Sequence, residues 1–145
     1  MSLYVLDTDH VSLLRHGHSR VVVRAAQVPA DELAMTVISI EEQVSGWYTV
    51  LRQADKDIAR LARAYDGLLE LFQWAPTIRV LPFNEPALIR YFDLRRQFRT
   101  RGKLDLSIAA IALEHGAKVV TRNSADFEGI PGLEIEDWTA DVAAG

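Results

Sequence analysis

Leu104-Asp105-Leu106-Ser107-Ile108-Ala109-Ala110-Ile111-Ala112-Leu113-Glu114-His115-Gly116, followed by Lys118-Val119-Val120-Thr121, decides the fold class. The first part is a helix, apolar on nearly every side, stopped by a glycine where helices commonly end. The second is a short β-branched run with the length and composition of a buried strand. A buried helix feeding directly into a buried strand is half of an α/β crossover unit. Working outward, Leu3-Tyr4-Val5-Leu6 reads as a first strand ending at Asp7, with a short helix through Val11, Leu13 and Leu14, a break at His16-Gly17-His18, and a helix from Ser19 to Val28. Leu33 to Ile38 reads as strand two, after which Ser39 opens a helix. A second long amphipathic helix lies between Asp55 and Trp74, Ile78 to Leu81 is strand three, and Asn84 caps a further helix. Leu133-Glu134-Ile135 is a short last strand. Strands alternating with helices imply an α/β fold of three layers, α/β/α, around a mainly parallel sheet of four to five strands.

The 145 residues, 49% of them hydrophobic, fit one domain spanning residues 1–145. No window approaches the roughly 20 apolar residues of a membrane span, and the start MSLYVLDTD lacks the pattern of a signal peptide, so a cytoplasmic location is expected. The absence of cysteine excludes disulfides, thiolate zinc sites and cysteine nucleophiles. A net charge of −4 argues against a nucleic-acid partner, but its distribution argues the other way. Arg90, Arg95, Arg96, Arg99, Arg101 and Lys103 face only Asp93 within their stretch, whereas Asp126, Glu128, Glu134, Glu136, Asp137 and Asp141 follow Arg122 without a Lys or Arg among them.

In an open parallel sheet, ligands sit beyond the carboxyl ends of the strands. Acids recur there: Asp7 after strand one, Glu42 one turn into the helix after strand two, Asp105 at the start of the helix preceding strand four, and Asp126 after that strand. Each alone also fits a helix cap. Ser39-x-x-Glu42 is a capping-box pattern, Asn123-x-x-Asp126 is a near relative, and Asp9 or Asp105 suits a positive helix N-terminus. Together they point elsewhere, because converging carboxylates repel one another unless a cation is present. Oxygen donors without cysteine favour Mg2+ or Mn2+ over zinc, and His10, His16, His18 and His115 read as surface or helix-end residues. Carboxylate-held magnesium is the usual arrangement for phosphate-ester hydrolysis, often with two ions.

Val5-Leu6-Asp7-Thr8-Asp9-His10, Ile38-Ser39-Ile40-Glu41-Glu42-Gln43-Val44-Ser45-Gly46, the helix from Asp105, and Val120-Thr121-Arg122-Asn123-Ser124-Ala125-Asp126-Phe127 with Ile130-Pro131-Gly132-Leu133 and Asp137-Trp138 resemble, in order and from end to end, PIN domains of the VapC type. The resemblance implies a metal-dependent endoribonuclease that is the toxin of a toxin-antitoxin pair, forms homodimers and is inhibited by a VapB-like antitoxin. It implies Asp7, Glu42, Asp105 and Asp126 as metal-binding catalytic acids, with Thr8, Thr121 and Asn123 as polar support. Many relatives have Asn at the position of Asp9 and Leu at that of Gln43. Glu41 is the alternative to Glu42, which keeps the family spacing from Ser39 and to Gly46. The short loop before Asp105 brings Arg99, Arg101 and Lys103 to the lip of the site as candidate contacts to an RNA backbone.

Two other function classes fit parts of the sequence. Asp7-Thr8-Asp9-His10-Val11 matches the D-x-D-x-V opening of haloacid-dehalogenase-like phosphatases, with Asp7 as nucleophile, Asp9 as acid/base and Lys118 as the later lysine, although no paired aspartates follow it. A receiver domain lacks a lysine ending a late strand. The stripe Ile58, Leu61, Tyr65, Leu68, Phe72, with Trp47 and Tyr48, fits either core packing or the partner surface of an inactive binding module; core packing is the expectation for most of it.

Overall fold

The computed structural model describes residues 2–140; Met1, Asp141 of the acidic tail and the remainder of the span 1–145 beyond Ala140 lie outside the described residues. Five short strands, β1 (Tyr4–Leu6), β2 (Leu33–Thr36), β3 (Arg79–Leu81), β4 (Lys118–Val120) and β5 (Ile135–Glu136), form one sheet in the order β3-β2-β1-β4-β5. Every pairing is parallel. The helices are α1 (Thr8–Arg15), α2 (Ser19–Gln27), α3 (Val37–Ala54), α4 (Ile58–Trp74), α5 (Glu85–Gln97) and α6 (Lys103–Glu114).

Alternation along each strand divides the core in two. Val5, Ala34, Leu81 and Val119 point to one face and pack with Leu94 of α5 and with Leu106 and Ile108 to Ala112 of α6. Leu6, Met35 and Val120 point to the other face and pack with Val11, Val21 and Ala25 of α1 and α2 and with Trp138. The expected three layers follow directly from this alternation. β1 lies at the centre because both its faces are buried, with Val5 and Leu6 fully covered.

Local boundaries differ from the sequence reading where a side chain captures a backbone group. Val37 and Ile38 belong to α3 rather than β2: the Thr36 hydroxyl accepts the Ile38 amide and starts the helix there, so Ser39 is a buried helical residue and not its cap. Asn123 makes no side-chain cap bond either. The last strand is shifted to Ile135–Glu136, the residues in register with Val119 and Val120. Asn84 caps α5 as expected, its Oδ1 accepting the Ala87 amide.

The stripe on α4 is the larger correction. The helix packs through Ala64, Gly67 and Leu71, with Leu61 and Leu68 half-buried, whereas Ile58, Tyr65 and Phe72 are 81%, 60% and 78% exposed. Core packing therefore accounts for a minority of that stripe. Small residues make the contact instead, because α3 lies close: Trp47 fills the space over Gly67.

Candidate active site

The strand order reverses direction between β1 and β4, since the chain moves from β1 outward through β2 and β3 and then returns to the other side of β1. Loops leave the carboxyl ends of β1 and β4 in opposite directions there and open a crevice. Asp7 and Thr121 are the first residues beyond those two strands, and the Asp7 amide donates to the Val120 carbonyl at 3.0 Å.

Asp7 is buried and caps α1, its Oδ1 accepting the His10 amide at 2.7 Å. Thr8 follows with a half-buried hydroxyl that donates to Glu42 Oε1 at 2.6 Å. That hydroxyl has one proton, so at 2.9 Å the Ser39 hydroxyl donates to it in turn. The relay Ser39 to Thr8 to Glu42 ties α3 to α1 and aims the glutamate. Glu41 is exposed. Asp105 stands in the first turn of α6 and Asp126 closes a short 3₁₀ turn, Ser124–Asp126, anchored by the buried Phe127. Thr121, buried, accepts the Asn123 amide at 3.0 Å and shapes that turn.

The four acids come from four elements, and the charges of three of them reach the fourth, Asp105. The Asp105 carboxyl is pushed up to about 6, by burial first and then by the negative charges of Asp126, Glu42 and Asp7. Burial and three neighbouring negative charges make the ionised form of Asp105 unfavourable, a condition that a divalent cation would relieve, and carboxylate oxygens suit a hard ion. The folded state holds the Asp105 proton more tightly than the unfolded chain, whose aspartate titrates near 3.8. Stability without metal therefore falls as pH rises from about 4 through about 6, and the penalty is complete above that. Allowing for the half-exposed position, Asp105→Asn is expected to raise the metal-free Tm by about 2–4 °C at neutral pH, with the gain gone near pH 4. Thermal melts of both proteins at the two pH values check this, and a gain that persisted at low pH would contradict it.

Asp7, Asp9 and His10 can also bring one ligand atom each within 4.8 Å of one another. Asp9, however, has both oxygens on Arg122, at 2.6 and 3.1 Å, and His10 is completely buried. Asp7 is the member of that group shared with the four-acid cluster. His10 is buried in the first turn of α1 rather than lying at the surface, whereas His16, His18 and His115 stand at helix ends as expected.

The phosphatase reading fails on two placements. Asp9 is held in the fork of Arg122, and Lys118 lies opposite Tyr4 in the sheet register, three residues or about 10 Å before the end of β1 where Asp7 stands. Lys118 instead pairs with Glu134 and Glu136 at 3.5 and 3.6 Å. Part of the basic stretch is likewise spent internally: Arg90 pairs with Glu114 and Arg96 with Asp93. Arg99 and Lys103 are exposed, and Arg101 stacks on Phe98 with its guanidinium 3.5 Å from the Asp126 carbonyl. No local pattern marks the Asp9–Arg122 pair, which joins residues 113 apart across the crevice.

A family model described as PIN domain matches residues 4–133. The chain belongs to the PIN domain family. PIN domains are metal-dependent nucleases. The chain is 29% identical over 143 residues to Ribonuclease VapC1 of Haemophilus influenzae, an alignment covering 94% of this chain and 98% of that protein. It is also 29% identical over 142 residues to Toxin FitB of Neisseria gonorrhoeae, covering 94% and 99%. Among solved structures, VapBC from Salmonella typhimurium bound to DNA superposes with a TM-score of 0.74 at 26% identity, over 95% of this chain and 99% of that one. The PIN match spans β1 to the residues just before β5, and so contains all four acids.

Proposed function

We propose that this PIN domain is a cytoplasmic, metal-dependent endoribonuclease, the toxin of a toxin-antitoxin pair, with Asp7, Glu42, Asp105 and Asp126 holding Mg2+ or Mn2+. The observation that carries the reading is the crowding around Asp105, whose carboxyl is raised by burial and by the charges of the other three acids at the topological switch point. A bound divalent ion supplies Lewis-acid chemistry for phosphodiester hydrolysis at neutral pH. The chain's own groups do the rest. Thr8 fixes the orientation of Glu42, Thr121 and Asn123 hold the turn that presents Asp126, and Arg101, lying across Phe98 beside that turn, is placed to receive a phosphate. Arg99 and Lys103 extend the positive lip along the RNA backbone without reading sequence.

Purified protein incubated with mixed RNA should produce internal cleavage with Mg2+ or Mn2+ and none with a chelator. Cleavage unaffected by chelation, or intact RNA with both metals, would refute the reading. The double variant Arg101→Ala, Lys103→Ala should weaken RNA binding and reduce the slope of log affinity against log salt by about 1 to 2. A fluorescence-anisotropy titration over several salt concentrations measures this, and an unchanged slope removes both residues from the interface.

The apolar residues exposed on α4, Ile58, Tyr65, Leu69 and Phe72, support burial against protein in a homodimer or by a VapB-like antitoxin. A partner surface of this kind goes with an active enzyme as readily as with an inactive module.

A further inference from the structure

His10 is the group in the site that the proposed reaction leaves unused. It is completely buried, and neither ring nitrogen has a hydrogen-bond partner of good geometry. Such an imidazole is costly, since a buried polar atom left unpaired gives up its hydration with no partner in return. The groups beside it are two carboxylates, Asp7 Oδ1 at 3.3 Å from Nδ1 and Asp137 Oδ1 at 3.8 Å from Nε2. These two carboxylates face opposite nitrogens of the ring.

Asp137 is itself fixed in place. Its carboxylate accepts the amide and hydroxyl of Thr139 at 2.8 and 2.6 Å. The next residue, Trp138, is buried, with its ring 5.5 Å from that of Tyr4 in β1 and the Arg24 guanidinium 5.3 Å over its face. Glu136 is in register with Val120, and Val120 with Leu6, so the segment after β5 leaves the sheet at the same end as Asp7. His10 lies between a fixed carboxylate and a functional one.

Resting on the metal-nuclease reading, we propose that His10 is a positioning residue that holds the Asp7 carboxylate in its metal-binding orientation by donating from Nδ1 to Oδ1, with Asp137 bracing the far side of the ring. Only one oxygen of Asp7 is taken up this way. The His10 backbone amide binds that same oxygen, so both donors hold Oδ1 and leave Oδ2 free of them. Partners of this kind commonly change metal affinity by tenfold or more when removed.

The test is Mn2+ binding by the purified full chain, read from the electron paramagnetic resonance signal of free Mn2+, without RNA. His10→Leu fills the same space with no donor and should weaken Mn2+ binding about tenfold. His10→Asn restores a donor near the Nδ1 position and should recover most of that loss, an outcome that mere filling of a buried space does not give. Asp137→Asn, at a partly exposed side chain that leaves the core intact, should weaken Mn2+ binding a few-fold and keeps the test decisive if His10→Leu does not fold. Equal affinities in wild type and Asp137→Asn, or a His10→Asn variant that binds no better than His10→Leu, would overturn the positioning role. Wild type that binds Mn2+ while Asp7→Asn does not would leave the metal-nuclease reading standing in either case. Wild type that binds no Mn2+ would remove both.

Discussion

Asp7→Asn is expected to lower metal-dependent RNA cleavage by about a thousandfold or more while the protein stays folded, because the substitution removes a charge and keeps the shape. Asn retains an oxygen that can accept the His10 amide, so the cap of α1 survives. It cannot supply the negative charge that Asp7 is proposed to share with Glu42, Asp105 and Asp126 in holding a divalent ion. The measurement is initial cleavage rate at saturating Mg2+ or Mn2+, with circular dichroism as the check on folding. Wild-type rates in a folded variant would dismantle the assignment of Asp7 and with it the four-acid centre. Loss of activity accompanied by unfolding would place Asp7 in the structure alone.

Gly67→Val is expected to have the largest effect on stability. A side-chain carbon added at Gly67 would lie 2.2 Å from two ring atoms of Trp47, far inside contact distance, and Val adds two further methyl groups. The indole is rigid and cannot yield by bending. Either Trp47 leaves its place or α3 and α4 separate, and overpacking of this kind costs about 1–3 kcal/mol, with an added penalty for a β-branched residue in a helix. Tm should fall by roughly 5–10 °C. The pairing Trp47→Ala with Gly67→Val should recover part of the loss, since the obstructing ring is gone. A melting temperature within a degree or two of wild type would show that the two helices are not packed as described.

Much of this molecule was legible in its sequence for a definite reason. Buried strands such as Val119-Val120 and an all-round apolar helix such as α6 admit few alternatives, and acids just beyond strand ends fall where a parallel sheet gathers its loops. What could not be read was anything decided by contact between distant residues. The pattern Ile58, Tyr65, Phe72 has helical periodicity whether it faces a core or a partner, and the true packing face of α4, Ala64-Gly67-Leu71, carries too little apolar surface to stand out. The start of α3 at Thr36 was hidden because Val37 and Ile38 are β-branched and read as strand, whereas the Thr36 hydroxyl takes the Ile38 amide and begins the helix there. The burial of His10 involves Asp137, at the opposite end of the chain, and so left no local trace.

The central position of β1 has a bearing on how such a chain is made. Its neighbour β4 and the fourth acid are contributed by residues beyond 117, so a nascent polypeptide still lacking that portion has an unpaired edge where half of the crevice belongs. The crevice beside Asp7 is therefore complete only once the chain has been made through β4 and the turn that follows it.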